Sequence, residues 1–260
     1  MIRGVLLDLD GTVYWGAREV PGAAGFVRQL HAWGIRCLFV TNRANRTPEE
    51  VRDHLLGYGI DCATEDILTA AQATAAYLKK GSVYYIGEEG LRRALVEAGF
   101  EIADPSPDSV PDYVIVSFDR GFNYDKLATA SRLIAAGAQF VATNPDKALR
   151  DAQHVTPGTG ALVAAVEAAS GQKPLIIGKP EPLIFEMALK KLGLAAADVI
   201  VVGDNPETDI PAGVRAGLRT AYILTGVGRR EDAGLAGVSP TWIVEDFKEL
   251  LATVAQEKGF

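Results

Sequence analysis

The sequence predicts an α/β fold: a doubly wound parallel sheet with a second domain inserted into it. Short apolar runs alternate with helical patterns along most of the 260 residues, which is typical of strand–helix–strand units. The run at 35–40 is apolar on both faces, as in a buried parallel strand. Acidic residues directly follow apolar runs near both ends of the chain, and less clearly in its middle. We therefore expect one domain built from 1–68 and 175–260, with an inserted α/β domain over 69–174.

Capping and turn residues bound the predicted elements. A first strand at 5–7 precedes a helix that begins after Gly22 and ends at Gly34. Thr47 and Pro48 begin the next helix as N-cap and first helical residue. Further strands are predicted at 83–86, 113–116, 139–142, 175–177, 199–202, 220–224 and 241–244. Further helices are predicted at 91–98, 124–136, 161–169, 182–192, 208–216 and 247–256.

The amino-acid composition disfavours several classes of binding partner and cellular location. The formal net charge is -7 and the pI is about 5.1, so an acidic surface disfavours nucleic acid and anionic membranes as partners. Two cysteines do not make a disulfide framework, which is consistent with a reducing cytoplasm. No apolar run approaches the roughly 20 residues of a membrane span, and the N-terminus does not resemble a signal peptide.

Two carboxylates directly follow the first apolar run. Alternation along an extended segment places Asp8 and Asp10 on the same side. Two carboxylates so close repel each other unless a cation lies between them, and magnesium prefers such hard oxygen ligands. Gly11 permits a tight turn after the pair. A solvated strand end is the alternative interpretation of an isolated Asp-x-Asp.

Phosphate-binding groups follow two other runs. A hydroxyl, an amide and backbone N–H groups at Thr41 and Asn42 can hold phosphate oxygens, although Thr-Asn is also common in turns. Lys179 follows the run at 175–177, where its ammonium could bridge a nucleophilic carboxylate and a phosphate. A lysine that extends along the surface to solvent is the alternative.

Two more acids follow the run at 199–202. Asp204 lies next to the predicted strand and can reach a cation at the strand ends. Asp209 lies at the start of the next helix, where it could instead interact with the helix dipole.

These four segments resemble the haloacid dehalogenase (HAD) superfamily, and the resemblance covers nearly the whole chain. The matching residues are Asp8-Leu9-Asp10-Gly11-Thr12, Thr41, Lys179 and Gly203-Asp204 with Asp209. The long insert looks like an α/β cap of the C2 class. Segments at 117–124, 142–146 and 156–161 look like subfamily IIA, which includes NagD-like, para-nitrophenyl phosphate, phosphoglycolate and pyridoxal phosphate phosphatases.

The resemblance implies a magnesium-dependent phosphatase. Asp8 would be the nucleophile that becomes aspartyl-phosphate, and Asp10 the general acid and then base. The ion would be held by Asp8, the backbone carbonyl of Asp10 and Asp204, with Asp209 behind them or acting through water. The phosphate-binding residues implied are Thr41, Asn42, Arg43 and Lys179.

Arg43 departs from the pattern, because many relatives have asparagine at this position. It could add a contact to an anionic substrate or point outward. Four residues of the insert are candidates for substrate contacts or for organising turns: Asp119, Arg120, Asn144 and Asp146. The segment at 147–150 also lacks the histidine expected of pyridoxal phosphate enzymes.

The sequence leaves two other functions of the same core open. A phosphotransferase or mutase would use the same aspartyl-phosphate, and a phospho-acceptor protein would form it without turnover. Sugar phosphates, nucleotide monophosphates, phosphoglycolate and aryl phosphates are all candidate substrates. The oligomeric state also stays open, although members of the family often form homodimers through the cap.

Overall fold

Two parallel sheets hold most of the strands, in a computed structural model that describes residues 1–104, 109–150 and 155–258. The strands described are β1 Gly4–Leu7, β2 Tyr14–Trp15, β3 Arg18–Glu19, β4 Arg36–Thr41, β5 Ile67–Thr69, β6 Ser82–Ile86, β7 Glu101–Ile102, β8 Tyr113–Val116, β9 Gln139–Ala142, β10 Ala148–Arg150, β11 Val155–Pro157, β12 Leu175–Ile176, β13 Val199–Gly203, β14 Arg219–Ile223 and β15 Trp242–Val244. The helices described are α1 Ala23–Ala32, α2 Pro48–Leu56, α3 Ala70–Tyr77, α4 Glu89–Glu97, α5 Tyr124–Ala135, α6 Thr159–Ser170, α7 Leu183–Leu192, α8 Asp209–Arg215 and α9 Phe247–Lys258.

The six-stranded sheet has the order β15-β14-β13-β1-β4-β5. Strand β1 lies between β13 and β4 and is parallel to both, with Leu7 opposite Val202 on one side and Phe39 on the other. Its strands are apolar on both faces because buried side chains cover each face, as in other doubly wound sheets. The carboxyl ends of β13, β1 and β4 therefore lie side by side.

The five-stranded sheet has the order β12-β9-β8-β6-β7, and its neighbouring strands are parallel. Its core contains Phe140 from β9, Leu133 from α5 and Val166 from α6. Separate antiparallel pairs are formed by β2 with β3 and by β10 with β11. Both large sheets agree with the predicted α/β class.

The chain divides into two compact units. The first consists of Met1–Thr41, Pro48–Leu68 and Lys179–Phe260, and the second of Asn42–Thr47 and Thr69–Gly178. We expected the inserted domain to end at residue 174. The second unit continues to Gly178 because β12 pairs with β9 of the five-stranded sheet.

The sequence predicts that the strand at 175–177 lies in the same domain as the strand at 5–7, with Lys179 at its end. This strand belongs instead to the five-stranded sheet, and Lys179 begins the last segment of the first unit. A two-residue strand contains too little pattern to show which sheet it joins.

The short segment Asn42–Thr47 is anchored to the start of α4. Gly90 donates its backbone N–H to the carbonyl of Asn45 at 3.2 Å, and the Asn45 side chain lies 3.4 Å from Glu88. A Cβ on Gly90 would lie 2.5 Å from the carbonyl oxygen of Arg46 and 2.7 Å from that of Ala44. A residue without a side chain is therefore needed at position 90 for this close approach.

Most predicted elements are confirmed, with ends that differ by a few residues. Helix α6, for example, begins at Thr159, two residues before its predicted start at 161. Strands β5 and β7, helix α3 and both antiparallel pairs were not predicted from the sequence. Within the described ranges, no helix has both the length and the apolar character needed to cross a membrane.

Candidate active site

The site lies at the carboxyl ends of three adjacent strands of the first unit. Asp8 directly follows β1, and its backbone N–H donates to the carbonyl of Val202 on β13 at 2.9 Å. Thr41 ends β4, and Asp204 directly follows β13. Ligands bind at such strand ends in open α/β sheets, so the topology brings distant parts of the sequence to one place.

Three buried carboxylates converge there. Asp8, Asp204 and Asp209 each offer an oxygen within 4.8 Å of the others, and their residues are 7%, 1% and 1% exposed. Such a group is costly without a positive charge, whereas a hard divalent cation prefers carboxylate oxygens. The donor set therefore fits a divalent metal ion, as the predicted site requires.

Lys179 lies among these carboxylates and is 2% exposed. Its Nζ forms an ion pair with Asp8, a second with Asp209 at 2.7 Å, and a hydrogen bond to the carbonyl of Val40 at 3.3 Å. The interpretation of Lys179 as a surface residue is therefore wrong. One ammonium does not balance three ionised carboxylates, so the cluster favours an additional cation.

Burial and mutual repulsion shift the acidities of this cluster. Desolvation, followed by the negative charge of Asp209, raises the pKa of Asp8, although Lys179 opposes the shift. The same two causes raise the pKa of Asp204 to about 7. Burial by itself lowers the pKa of Lys179, but Asp209 and Asp8 together raise it by a larger amount. The pKa therefore lies above its ordinary value, and this side chain stays charged. Strongly shifted groups of this kind are characteristic of functional sites.

Neighbouring backbone and hydroxyl groups hold Asp204 in place. Thr12 donates its hydroxyl to Oδ1 at 3.1 Å, and the N–H of Val227 donates to Oδ2 at 2.9 Å. Gly11 has a φ of 90° and Gly226 packs beside the same carboxylate, where a Cβ would lie 1.8 Å from Oδ2. Gly11 and Thr12 lie within the first motif, but the motif does not predict the contact of Thr12 with Asp204, and no sequence pattern indicates Val227 or Gly226.

Asp10 is half-buried, and its side chain is not part of the three-carboxylate group. Its Oδ2 accepts a hydrogen bond from the hydroxyl of Tyr14 at 3.4 Å. Asp10 and Tyr14 also form an isolated backbone bridge across the turn that follows β1. The sequence argument did not single out Tyr14.

Asn42 and Arg43 belong to the second unit, whereas Thr41 belongs to the first and is buried. The Asn42 amide donates to Asp146 at 3.0 Å, and its carbonyl accepts from Asn144 at 2.8 Å. These contacts anchor the residues that follow β4. The predicted phosphate-binding roles of Thr41, Asn42 and Arg43 stay predictions.

The remaining candidates of the insert have partners within the second unit. Asp119 accepts from the N–H of Gly121 and pairs with Lys126 at 2.6 Å. Arg120 pairs with Glu88 at 2.7 Å, which lowers the pKa of Glu88. These contacts agree with the interpretation of both residues as organisers of turns.

Family models match both segments that carry the site. Residues 5–101 match the haloacid dehalogenase-like hydrolases, and residues 176–250 match the HAD-hydrolase-like family. The two matches together include each of the three clustered aspartates and Lys179.

Known proteins resemble the chain over nearly its whole length. An acid sugar phosphatase of Staphylococcus aureus (strain USA300) is 40% identical over 254 residues, which cover 96% of this chain and 97% of the relative. The structure of NagD from Escherichia coli K-12 is 35% identical, with a TM-score of 0.89 over 96% of this chain and 98% of that one.

A third similar protein was solved with a divalent cation. It is a glycerol phosphate phosphatase from Mycobacterium tuberculosis in complex with calcium, 35% identical with a TM-score of 0.87. The match covers 95% of this chain and 74% of that one. Sequence, fold and the clustered aspartates agree, and the chain belongs to the haloacid dehalogenase superfamily, in its NagD-like phosphatase subfamily IIA.

Proposed function

We propose that this protein hydrolyses a small phosphate monoester with the help of magnesium, through an aspartyl-phosphate formed on Asp8. The observation that carries the proposal is the buried cluster of Asp8, Asp204 and Asp209 around Lys179. A cluster of this charge suits a cation and a phosphate better than it suits a purely structural core.

Asp8 is the best candidate for the nucleophile. It directly follows the central strand β1, and its carboxylate is ion-paired with Lys179. Burial raises its pKa and so favours the protonated, non-nucleophilic form. Positive charge close to Asp8 opposes this shift and keeps the carboxylate ionised for attack on phosphorus.

Asp10 is suited to proton transfer because it lies two residues from Asp8 and outside the carboxylate cluster. Half-buried and hydrogen-bonded to a neutral hydroxyl, it can exchange a proton with the leaving oxygen and later with water. Such a shuttle is worth about 10²–10⁴ in rate.

The metal proposed is Mg²⁺, held by Asp8, Asp204 and the backbone carbonyl of Asp10, with Asp209 supporting them. When bound, it supplies positive charge that offsets the repulsion between a carboxylate and a phosphate dianion. Thr12 and the N–H of Val227 hold Asp204 in a single orientation, and Lys179 holds Asp8 and Asp209. These contacts fix the positions of the metal-binding carboxylates before a ligand binds.

Thr41 and Lys179 are proposed to bind the phosphoryl oxygens. Lys179 has the strongest case because its ammonium already contacts Asp8. Sugar phosphates are the first substrates to test, since the S. aureus relative is an acid sugar phosphatase. Glycerol phosphate, nucleotide monophosphates, phosphoglycolate and aryl phosphates complete the panel.

The test compares wild-type protein with Asp8→Asn on this panel, with magnesium and with excess chelator. We expect wild-type turnover to require magnesium, and Asp8→Asn to lower kcat by at least about 10⁴-fold, because the nucleophile is lost. An unchanged melting temperature in Asp8→Asn would show that the variant is folded. A variant that retains the wild-type rate would refute the assignment of Asp8.

The same experiment separates the alternatives. Release of inorganic phosphate in proportion to substrate consumed supports a phosphatase. Transfer to a second alcohol would indicate a phosphotransferase, and a stable phosphoenzyme without turnover would indicate a phospho-acceptor protein.

A further inference from the structure

The proposed acid–base residue, Asp10, contacts a buried tyrosine. Tyr14 is 3% exposed, and its hydroxyl donates to Oδ2 of Asp10 at 3.4 Å. The turn between the two residues is fixed by the backbone, because Gly11 donates to the carbonyl of Tyr14 at 2.9 Å and Tyr14 donates to that of Leu9 at 3.2 Å. The hydroxyl therefore approaches Asp10 from a defined direction.

The ring of Tyr14 is also held from the side. His54, in the last turn of α2, packs edge-to-face on it with 4.8 Å between ring centroids, and Tyr58 packs at 5.7 Å. The hydroxyl of Tyr58 donates to the carbonyl of Gly16 at 3.0 Å and so anchors the turn between β2 and β3. A packed ring loses little further freedom when its hydroxyl makes a hydrogen bond.

We propose that Tyr14 is a positioning residue for Asp10: its hydroxyl engages Oδ2 and holds the carboxyl group in the orientation that proton transfer requires. The inference rests on the proposed function, since it needs Asp10 to act as acid and base. The two oxygens of a carboxyl group exchange places by rotation about one bond. A donor fixed on one of them therefore opposes this rotation.

The proposal assigns the proton in each step. As an oxygen of Asp8 bonds to phosphorus and the bond to the leaving oxygen breaks, the proton on the carboxyl group of Asp10 moves to that leaving oxygen. In the second step water bonds to phosphorus, its proton moves to the carboxylate of Asp10, and the bond between phosphorus and Asp8 breaks. Tyr14 keeps its own proton throughout.

The test uses leaving groups that differ in their need for a proton. Phenyl phosphate releases a phenol with a pKa of about 10, as in tyrosine, whereas p-nitrophenyl phosphate releases a far more acidic phenol. We expect Tyr14→Phe to lower kcat/KM about tenfold or more for phenyl phosphate and about threefold or less for p-nitrophenyl phosphate. The ratio of the two values does not depend on the fraction of folded protein, because unfolding lowers both equally.

Tyr58→Phe is the matched control. It removes a hydroxyl from the same aromatic cluster, but that hydroxyl contacts His54 and Gly16. We expect the ratio of kcat/KM values in Tyr58→Phe to equal that of the wild type. A ratio that changes equally in both variants would mean that the hydroxyls only hold the β2–β3 turn, and would overturn the inference.

Asp10→Asn separates this inference from the function on which it rests. If the wild type shows no turnover, or if Asp10→Asn keeps the wild-type ratio, the proposed function fails. If Asp10→Asn changes the ratio while Tyr14→Phe does not, the function stands and the role of Tyr14 is refuted.

Discussion

The two parallel sheets present different charges at the carboxyl ends of their strands. At the six-stranded sheet, three buried carboxylates lie close together, and Lys179 pairs with two of them. At the five-stranded sheet, within the described ranges, the buried carboxylate of Asp119 pairs with Lys126, and buried hydroxyls follow the neighbouring strands. Thr143 donates to Ser117 at 2.9 Å there.

This difference shows where the chemistry resides. Both sheets have parallel strands connected through helices, so topology alone does not distinguish them. The charges of Asp119 and Lys126 balance, which leaves no demand for an additional ion. The three carboxylates around Lys179, when ionised, carry an excess of negative charge, and this excess is what a divalent cation would neutralise.

The largest expected difference between the sheets is in the response to magnesium. At a hundredfold excess over its Kd, a ligand that binds only the folded state stabilises it by about 2.7 kcal/mol. We expect Mg²⁺ to raise the Tm of the wild type and of Asp119→Asn, but to raise that of Asp204→Asn little or not at all. Thermal unfolding at a series of magnesium concentrations measures this. Loss of the response in Asp119→Asn would contradict the comparison.

A second expected difference is in the effect of pH on the metal-free protein. The folded pKa of Asp204 is raised to about 7, above the value of about 3.9 for an unfolded aspartate. Between these values the folded state binds more protons, so this group makes the free energy of unfolding fall as pH rises from about 4 to 7. The raised pKa of Asp8 acts in the same direction.

We therefore expect the stabilisation by magnesium to be larger at about pH 8 than at about pH 5, because protons compete with the ion for the carboxylates. Denaturant titrations at both pH values, with magnesium and with chelator, test this. Asp204→Asn should reduce the pH dependence of the metal-free protein. A magnesium effect that is greater at the lower pH would contradict the assignment.

The smallest expected effect comes from a glycine that supports the cluster. A Cβ on Gly226 would lie 1.8 Å from Oδ2 of Asp204, so Gly226→Ala must displace that carboxylate. We expect a loss of about 1–3 kcal/mol in the free energy of unfolding and a weaker magnesium response. Gly234→Ala is the matched control, since its Cβ would meet no atom within 4 Å. Equal effects of the two substitutions would show that Asp204 can move freely.

The acidic half of the site was predictable from sequence because its residues directly follow strongly apolar strands. Asp8 and Asp204 follow β1 and β13, whose buried runs identify them as neighbours in a parallel sheet. Lys179 was expected at the site for the wrong reason, since the strand before it belongs to the other sheet. A lysine close to a strand end does not reveal to which sheet that strand belongs.

Several elements of the fold have only weak or local signals in the sequence. Helix α3 has a capping box between Thr69 and Gln72, which could have revealed it, but its alanine-rich sequence has little amphipathic pattern. Strands β2 and β3 are two residues each, too short for alternation to be recognised. The contact of Tyr14 with Asp10 depends on the turn between β1 and β2, so the sequence alone could not predict this contact.

Because the segment Asn42–Thr47 belongs with the second unit, the backbone passes between the units four times, after residues 41, 47, 68 and 178. A chimaera that exchanges only 69–178 with a relative would graft a foreign α4 onto the native segment. The close approach at Gly90 and the contact of Asn45 with Glu88 would then depend on residues inherited from two parents. Transplants between members of this subfamily should therefore carry residues 42–47 along with the insert.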